Sequence, residues 1–192
     1  IARRAVCDGG DDVEGGLRDI RQTTPEIAPL CAALLEKIGE QIESADRMIL
    51  VVPPQRLSWA PPEAGAWTTG LLLGHLLDCL AGFCAALQAA EPERLKHFLE
   101  LAKLPVNHAC DPLEARARIA AYRAHIGEGL RLLSDRDLSR PIATVFVPEG
   151  EPLLTLLLGN LEHFINHKYQ LFTYLKRMGV AVGSRDLYHF RE

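Results

Sequence analysis

Leu156 to Met178 is a long apolar run that no proline interrupts, and this stretch constrains the fold more than any other feature of the chain. Its apolar positions recur at helical spacing, so it buries one face as a helix. Three further long segments carry the same pattern with helix punctuation at their ends. Thr24-Pro25-Glu26 reads as N-cap, first-turn proline and first-turn acid of a helix that stops at Pro53-Pro54. The second starts after Trp67, capped by Thr68 or Thr69, and runs to Ala90. Asp111-Pro112-Leu113-Glu114 has the capping-box pattern and opens a third helix to about Ser134. Glu91-Pro92-Glu93 opens a shorter segment ending near Leu104-Pro105. Pro141 to Val147 is β-branched and predicts a short extended stretch before the turn-rich Pro148-Glu149-Gly150-Glu151-Pro152, and Gly179 ends the last helix. The expectation is an all-α, antiparallel four-helix bundle over residues 23–192, with a short extra helix and a short extended segment. Residues 1–22, rich in Gly and Asp, read as a flexible extension.

Charge and composition narrow the function. With 21 Lys plus Arg against 25 Asp plus Glu, the net charge is −4 and no basic stripe is present, which argues against nucleic acid as a partner. A hydrophobic content of 48% supports one sizeable core. Residues 71–90 are the most membrane-like, yet His75 and Asp78 break them, so no membrane partner is expected. No signal peptide is visible, and the chain starts at Ile1 without Met. Cys7, Cys31, Cys79, Cys84 and Cys110 are odd in number and lack framework spacing, which favours reduced thiols and a cytoplasmic location.

The last helix carries the candidate chemistry. His163 and His167 are four apart, so their imidazoles stack on one face about one turn apart, where they can share a metal ion. Asn160, Gln170 and Tyr174 fall on the same arc. The stripe borders a solvated face of Glu162, Asn166, Thr173 and Arg177, and a simple continuation of that face is the competing reading. A zincin motif is excluded, because Phe164 stands where its general-base Glu would be. Two histidines supply two ligands, and a zinc-type site needs a third.

His75 is the candidate, at the edge of a core stripe of Leu72, Leu76, Leu80, Phe83 and Leu87. Gly82 and Ala86 lie on nearly the same line, and such small residues would leave room for a ligand. A buried histidine bonded to a backbone carbonyl is the alternative. Cys79 shares the His75 face as a soft fourth ligand or a small buried thiol, and Asp78 suits a supporting partner or a solvated carboxylate. His97, His108, His125 and His189 have no partners at ligand spacing and are expected at the surface. Tyr122 and Tyr174 serve packing or reach a substrate.

Taken together, Trp59-Ala60-Pro61-Pro62, then Trp67-Thr68-Thr69-Gly70-Leu71-Leu72-Leu73-Gly74-His75-Leu76-Leu77-Asp78, then His163, His167-Lys168, Gln170-Leu171, Tyr174-Leu175 and Gly179 resemble the DinB/YfiT-like superfamily over roughly Pro25 to Gly183. The resemblance implies a four-helix bundle in which His75, His163 and His167 bind a divalent metal; imidazole suits zinc, nickel, copper and iron alike, with zinc or nickel expected first. Many relatives have Arg where this chain has Lys168, a position outside the ligand set. The resemblance also implies metal-dependent chemistry on a small-molecule substrate, either S-transferase-type with a low-molecular-weight thiol as co-substrate or hydrolase-type with water, and a homodimer. A non-catalytic metal- or ligand-binding bundle is the alternative, which a fourth ligand from Cys79 would favour, since structural zinc sites are saturated.

Overall fold

The computed structural model describes residues 27–105, 107–144 and 147–188. Four long helices dominate it: α1 (Pro29–Leu50), α2 (Thr69–Ala90), α3 (Pro112–Leu132) and α4 (Leu153–Arg177). A one-turn α5 (Ser184–Leu187) follows, and 3-10 segments occupy Pro54–Arg56, Lys96–Lys103 and Asp137–Ser139. Strands β1 (Pro141–Ile142) and β2 (Glu151–Pro152) pair antiparallel, Pro141 opposite Pro152, so that β2 delivers the chain directly into α4.

Local chemistry sets most helix ends. Thr68 Oγ1 accepts the Leu71 N–H at 3.3 Å, and Asp111 Oδ1 accepts the Glu114 N–H at 2.8 Å, each satisfying one first-turn donor. Gly179, at φ 79°, takes the left-handed conformation that stops α4. The start of α1 is different. Its helix opens at Pro29 after Ala28, which offers no side-chain cap, and Asp135 reaches across from beyond α3 to accept the Leu30 and Cys31 N–H groups at 3.0 and 3.2 Å. The Thr24-Pro25-Glu26 signal and the 1–22 extension lie outside the described residues.

Around the bundle the packed neighbours are α1 with α3, α3 with α2, α2 with α4, and α4 with α1. Arg116, early in α3, clasps Asp46 near the end of α1 at 2.8 Å, and His75 near the start of α2 meets His163 of α4, so both pairs run antiparallel. Helices α2 and α3 run the same way, with Gly70 against Cys110 at one end and Leu87 against Gly129 at the other. The long connection through Lys96–Lys103 permits this return. Leu72, Leu76, Leu80, Phe83 and Leu87 are all fully buried, as the periodicity predicts. Helix α2 is apolar enough to cross a membrane by composition, but its most apolar window is 67% buried within the bundle, the mark of a core helix.

Candidate metal centre

His75 on α2 and His163 and His167 on α4 converge, with one ring nitrogen from each lying within 4.8 Å of the others. The Nε2 atoms of His75 and His163 are 3.1 Å apart. Two nitrogens each ~2.1 Å from one ion are separated by ~3.0 Å at a right angle and ~3.4 Å at a tetrahedral angle, so this spacing, also that of a hydrogen bond, is compatible with a shared ion. His163 is exposed while His75 and His167 are half-buried, which leaves one side of the trio open to solvent. Burial pushes all three imidazole pKa values below their usual value, reinforced by histidine neighbours. The rings are thus neutral near pH 7, with lone pairs available to a cation.

A relay fixes which nitrogen of His167 carries the proton. His167 Nδ1 lies 2.9 Å from Gln170 Oε1, Gln170 Nε2 is 3.3 Å from Tyr174 Oη, and Tyr174 Oη is 3.1 Å from the Trp67 carbonyl oxygen. The carbonyl can only accept, so the tyrosine donates to it, the glutamine amide donates to the tyrosine, and His167 Nδ1–H donates to the glutamine oxygen. The lone pair therefore sits on Nε2. Gln170 and Tyr174, picked out by spacing alone, are working parts of this relay. The Trp67 ring stacks on His167 at 5.4 Å and packs on His75 at 4.5 Å between centroids, walling one side of the trio.

Asn107, which the sequence reading passes over, supports His75. It stands in the left-handed region at φ 52°, its backbone N–H donates to Asp78 Oδ2 at 2.8 Å, and its side chain lies beside His75, where it favours the protonated imidazole. Asp78 Oδ2 lies 3.8 Å from His75 Nδ1, close enough for attraction and too long for a hydrogen bond. Asp78 Oδ1 is buried with no hydrogen-bond partner among the described residues. A carboxylate so placed, behind a trio of neutral imidazoles, fits a site that takes a cation. The loop carrying Asn107 is seated on α2 because Gly74 has no side chain: a Cβ there would fall 1.8 Å from the His108 carbonyl oxygen. A glycine inside a leucine-rich helix was the available signal.

Other expectations change. The room foreseen at Gly82 is filled by Asn160, whose Oδ1 would be 2.7 Å from a Cβ at that position. Asn160 thus packs beside α2 one turn from His163. Cys79 is 2% exposed within the core, burial pushes its thiol up to about 12, and it is not among the gathered donors. His97 is exposed as expected, whereas His108 and His125 are half-buried and each bonded, His108 to Glu114 and His125 to the Ala121 carbonyl. Close packing of the loop and the 3-10 segment on the bundle accounts for their burial. His189 lies outside the described residues. Tyr122 is fully buried and accepts from Arg118 at 2.8 Å, a packing role.

A family model of the DinB superfamily matches residues 39–171, a span that contains all three histidines. The chain belongs to the DinB superfamily. Among solved structures it is similar to YjoA, a DinB-like protein from Bacillus subtilis, at a TM-score of 0.60 and 17% identity, over 78% of this chain and 94% of that one. That likeness bears on the fold. No protein of curated function matches the chain.

Proposed function

We propose that this DinB-superfamily chain is a metal-dependent enzyme acting on a small molecule, with His75, His163 and His167 holding a divalent ion, zinc or nickel. The observation that carries the reading is the gathering of three neutral imidazoles from two helices with one side left open. An ion held by three neutral ligands keeps its full charge and supplies Lewis acidity, lowering the pKa of a thiol or water that binds beside it. The chain's own residues hold the geometry. Gln170 and Tyr174 lock the His167 tautomer, Asn107 and Asp78 steady His75, and Trp67 keeps water from one flank.

A low-molecular-weight thiol is favoured over water as the activated group. Asp78, the carboxylate beside the trio, lies on the Nδ1 side of His75 and is engaged by the Asn107 N–H, so it is not placed to assist water as a general base, and water would depend on the ion alone. A thiol beside such an ion would lose its proton to solvent and be the better nucleophile of the two toward an electrophilic carbon. The non-catalytic alternative loses its main support, since Cys79 offers no fourth ligand.

Elemental analysis of the protein as isolated, followed by transfer assays with several low-molecular-weight thiols and hydrolysis of activated esters, tests this. Zinc or nickel in the wild type, with one equivalent and the thiol transfer both lost in His163→Ala, is the expected result. Full metal retention in the triple alanine variant of the three histidines refutes it.

A further inference from the structure

A second group of donors lies on the other side of the loop that steadies His75. His108 and Cys110 precede α3 and Glu114 sits in its first turn, with one ligand atom from each within 4.8 Å of the others. His108 Nε2 is 2.7 Å from Glu114 Oε1. A proton holds these two atoms together in the metal-free chain, and an ion between them would take that proton's place, with the imidazole N–H then on Nδ1, which is buried. Cys110 is a free thiol only 5% exposed, whereas the Glu114 side chain is 40% exposed and opens the cluster to solvent.

The backbone that presents these donors is held firmly. Cys110 N–H donates to the Gly70 carbonyl at 3.1 Å, the His108 carbonyl sits in the notch above Gly74, and Asp111 caps α3 immediately afterwards. A hydrogen bond closing the loop onto the helix explains the His108–Glu114 contact. It does not explain why a buried free thiol is gathered beside the same imidazole and carboxylate. One imidazole, one thiolate and one carboxylate form the mixed donor set that zinc-type ions take.

We propose that His108, Cys110 and Glu114 form a second metal site, separate from the three-histidine centre, which takes a zinc-type divalent ion and leaves a coordination position to solvent. Binding releases the Cys110 thiol proton to solvent, and the thiolate and Glu114 together balance the ion's two charges. Arg118 is a like charge that a cation here has to offset through the thiolate and the carboxylate. It stands 3.4 Å from Glu114 Oε1 and is held by the Pro105 carbonyl at 2.9 Å and Tyr122 Oη at 2.8 Å; burial and Glu114 push the metal-free Cys110 thiol up to about 12, and Arg118 offsets them only in part.

Cobalt(II) titration of the full chain under anaerobic, reducing conditions tests the site, because a thiolate ligand gives a near-ultraviolet charge-transfer band that an all-imidazole centre cannot. The wild type should bind two equivalents and show the band. Cys110→Ser should lose the band and one equivalent, while His163→Ala keeps the band and loses the other. Glu114→Gln, at a half-exposed position with little risk to folding, should weaken the band-forming site by roughly tenfold or more at unchanged helical circular dichroism. No band in the wild type, a band that survives Cys110→Ser, or an unaltered affinity in Glu114→Gln overturns the proposal. A His163→Ala variant that still binds two equivalents counts instead against the three-histidine centre.

Discussion

Replacing Gly74 by alanine tests whether the loop on α2 is what holds His75 in place. In a solvent-facing helix, Gly→Ala stabilises by about 1 kcal/mol through backbone entropy. At Gly74 the new Cβ would lie 1.8 Å from the His108 carbonyl oxygen, so the loop must retreat by about 1.5 Å to reach ordinary contact at ~3.4 Å. Overpacking of that kind costs ~1–3 kcal/mol. The retreat also strains the buried Cys110 N–H bond to Gly70 and the exposed Asn107 N–H bond to Asp78, worth about 1 kcal/mol each. Set against the entropic gain, the expected outcome is a net loss of roughly 1–3 kcal/mol, with weaker metal binding because His75 loses its Asn107 contact. Urea unfolding and a competitive zinc titration read the two effects. Gly39→Ala, in α1 with nothing within 4 Å of its Cβ, is the control and should gain ~0.5–1 kcal/mol. A Gly74→Ala protein as stable as the Gly39→Ala control, with unchanged zinc affinity, would refute the reasoning.

Gln170→Leu removes the acceptor that locks the His167 tautomer, so zinc affinity should fall by roughly 10–100-fold in a chelator competition while the helical signal stays constant; an unchanged affinity counts against the relay. The metal-free protein should lose stability as pH falls below ~6.5, because the three histidines take up protons more readily unfolded than folded, and a flat profile between pH 7 and 5 in urea melts would contradict this. Lys168 is 3% exposed, and burial, with Arg47 nearby, lowers its pKa from 10.5 to about 8. The unfolded chain binds the extra proton between those values, so stability should rise with pH from about 8 to 10.5, by at most about 3 kcal/mol. Lys168→Met should flatten that rise, and a slope equal to the wild type's would rule the assignment out.

What the sequence determined by itself is what depends on near neighbours in the chain. The 3.6-residue period of apolar side chains, the Thr68 and Asp111 caps and the Gly179 stop each act within a few residues, so four helices, the starts of α2 and α3 and the end of α4 could be read directly. The shared face of His163, His167, Gln170 and Tyr174 was legible for the same reason. Tertiary structure decided the rest. Asp135 caps α1 from 104 residues away, and Asn160 fills the gap at Gly82. Lys168 is buried by bonds to Gln41 and the Leu187 carbonyl, so that a residue adjacent to His167 serves the C-terminal turn and not the site. The approach of α4 to His75, the seating of Asn107 over Gly74 and the meeting of His108, Cys110 and Glu114 depend on which helix faces pack together and how the long connections return. Those choices follow from burial summed over the whole core, which no local window of residues contains.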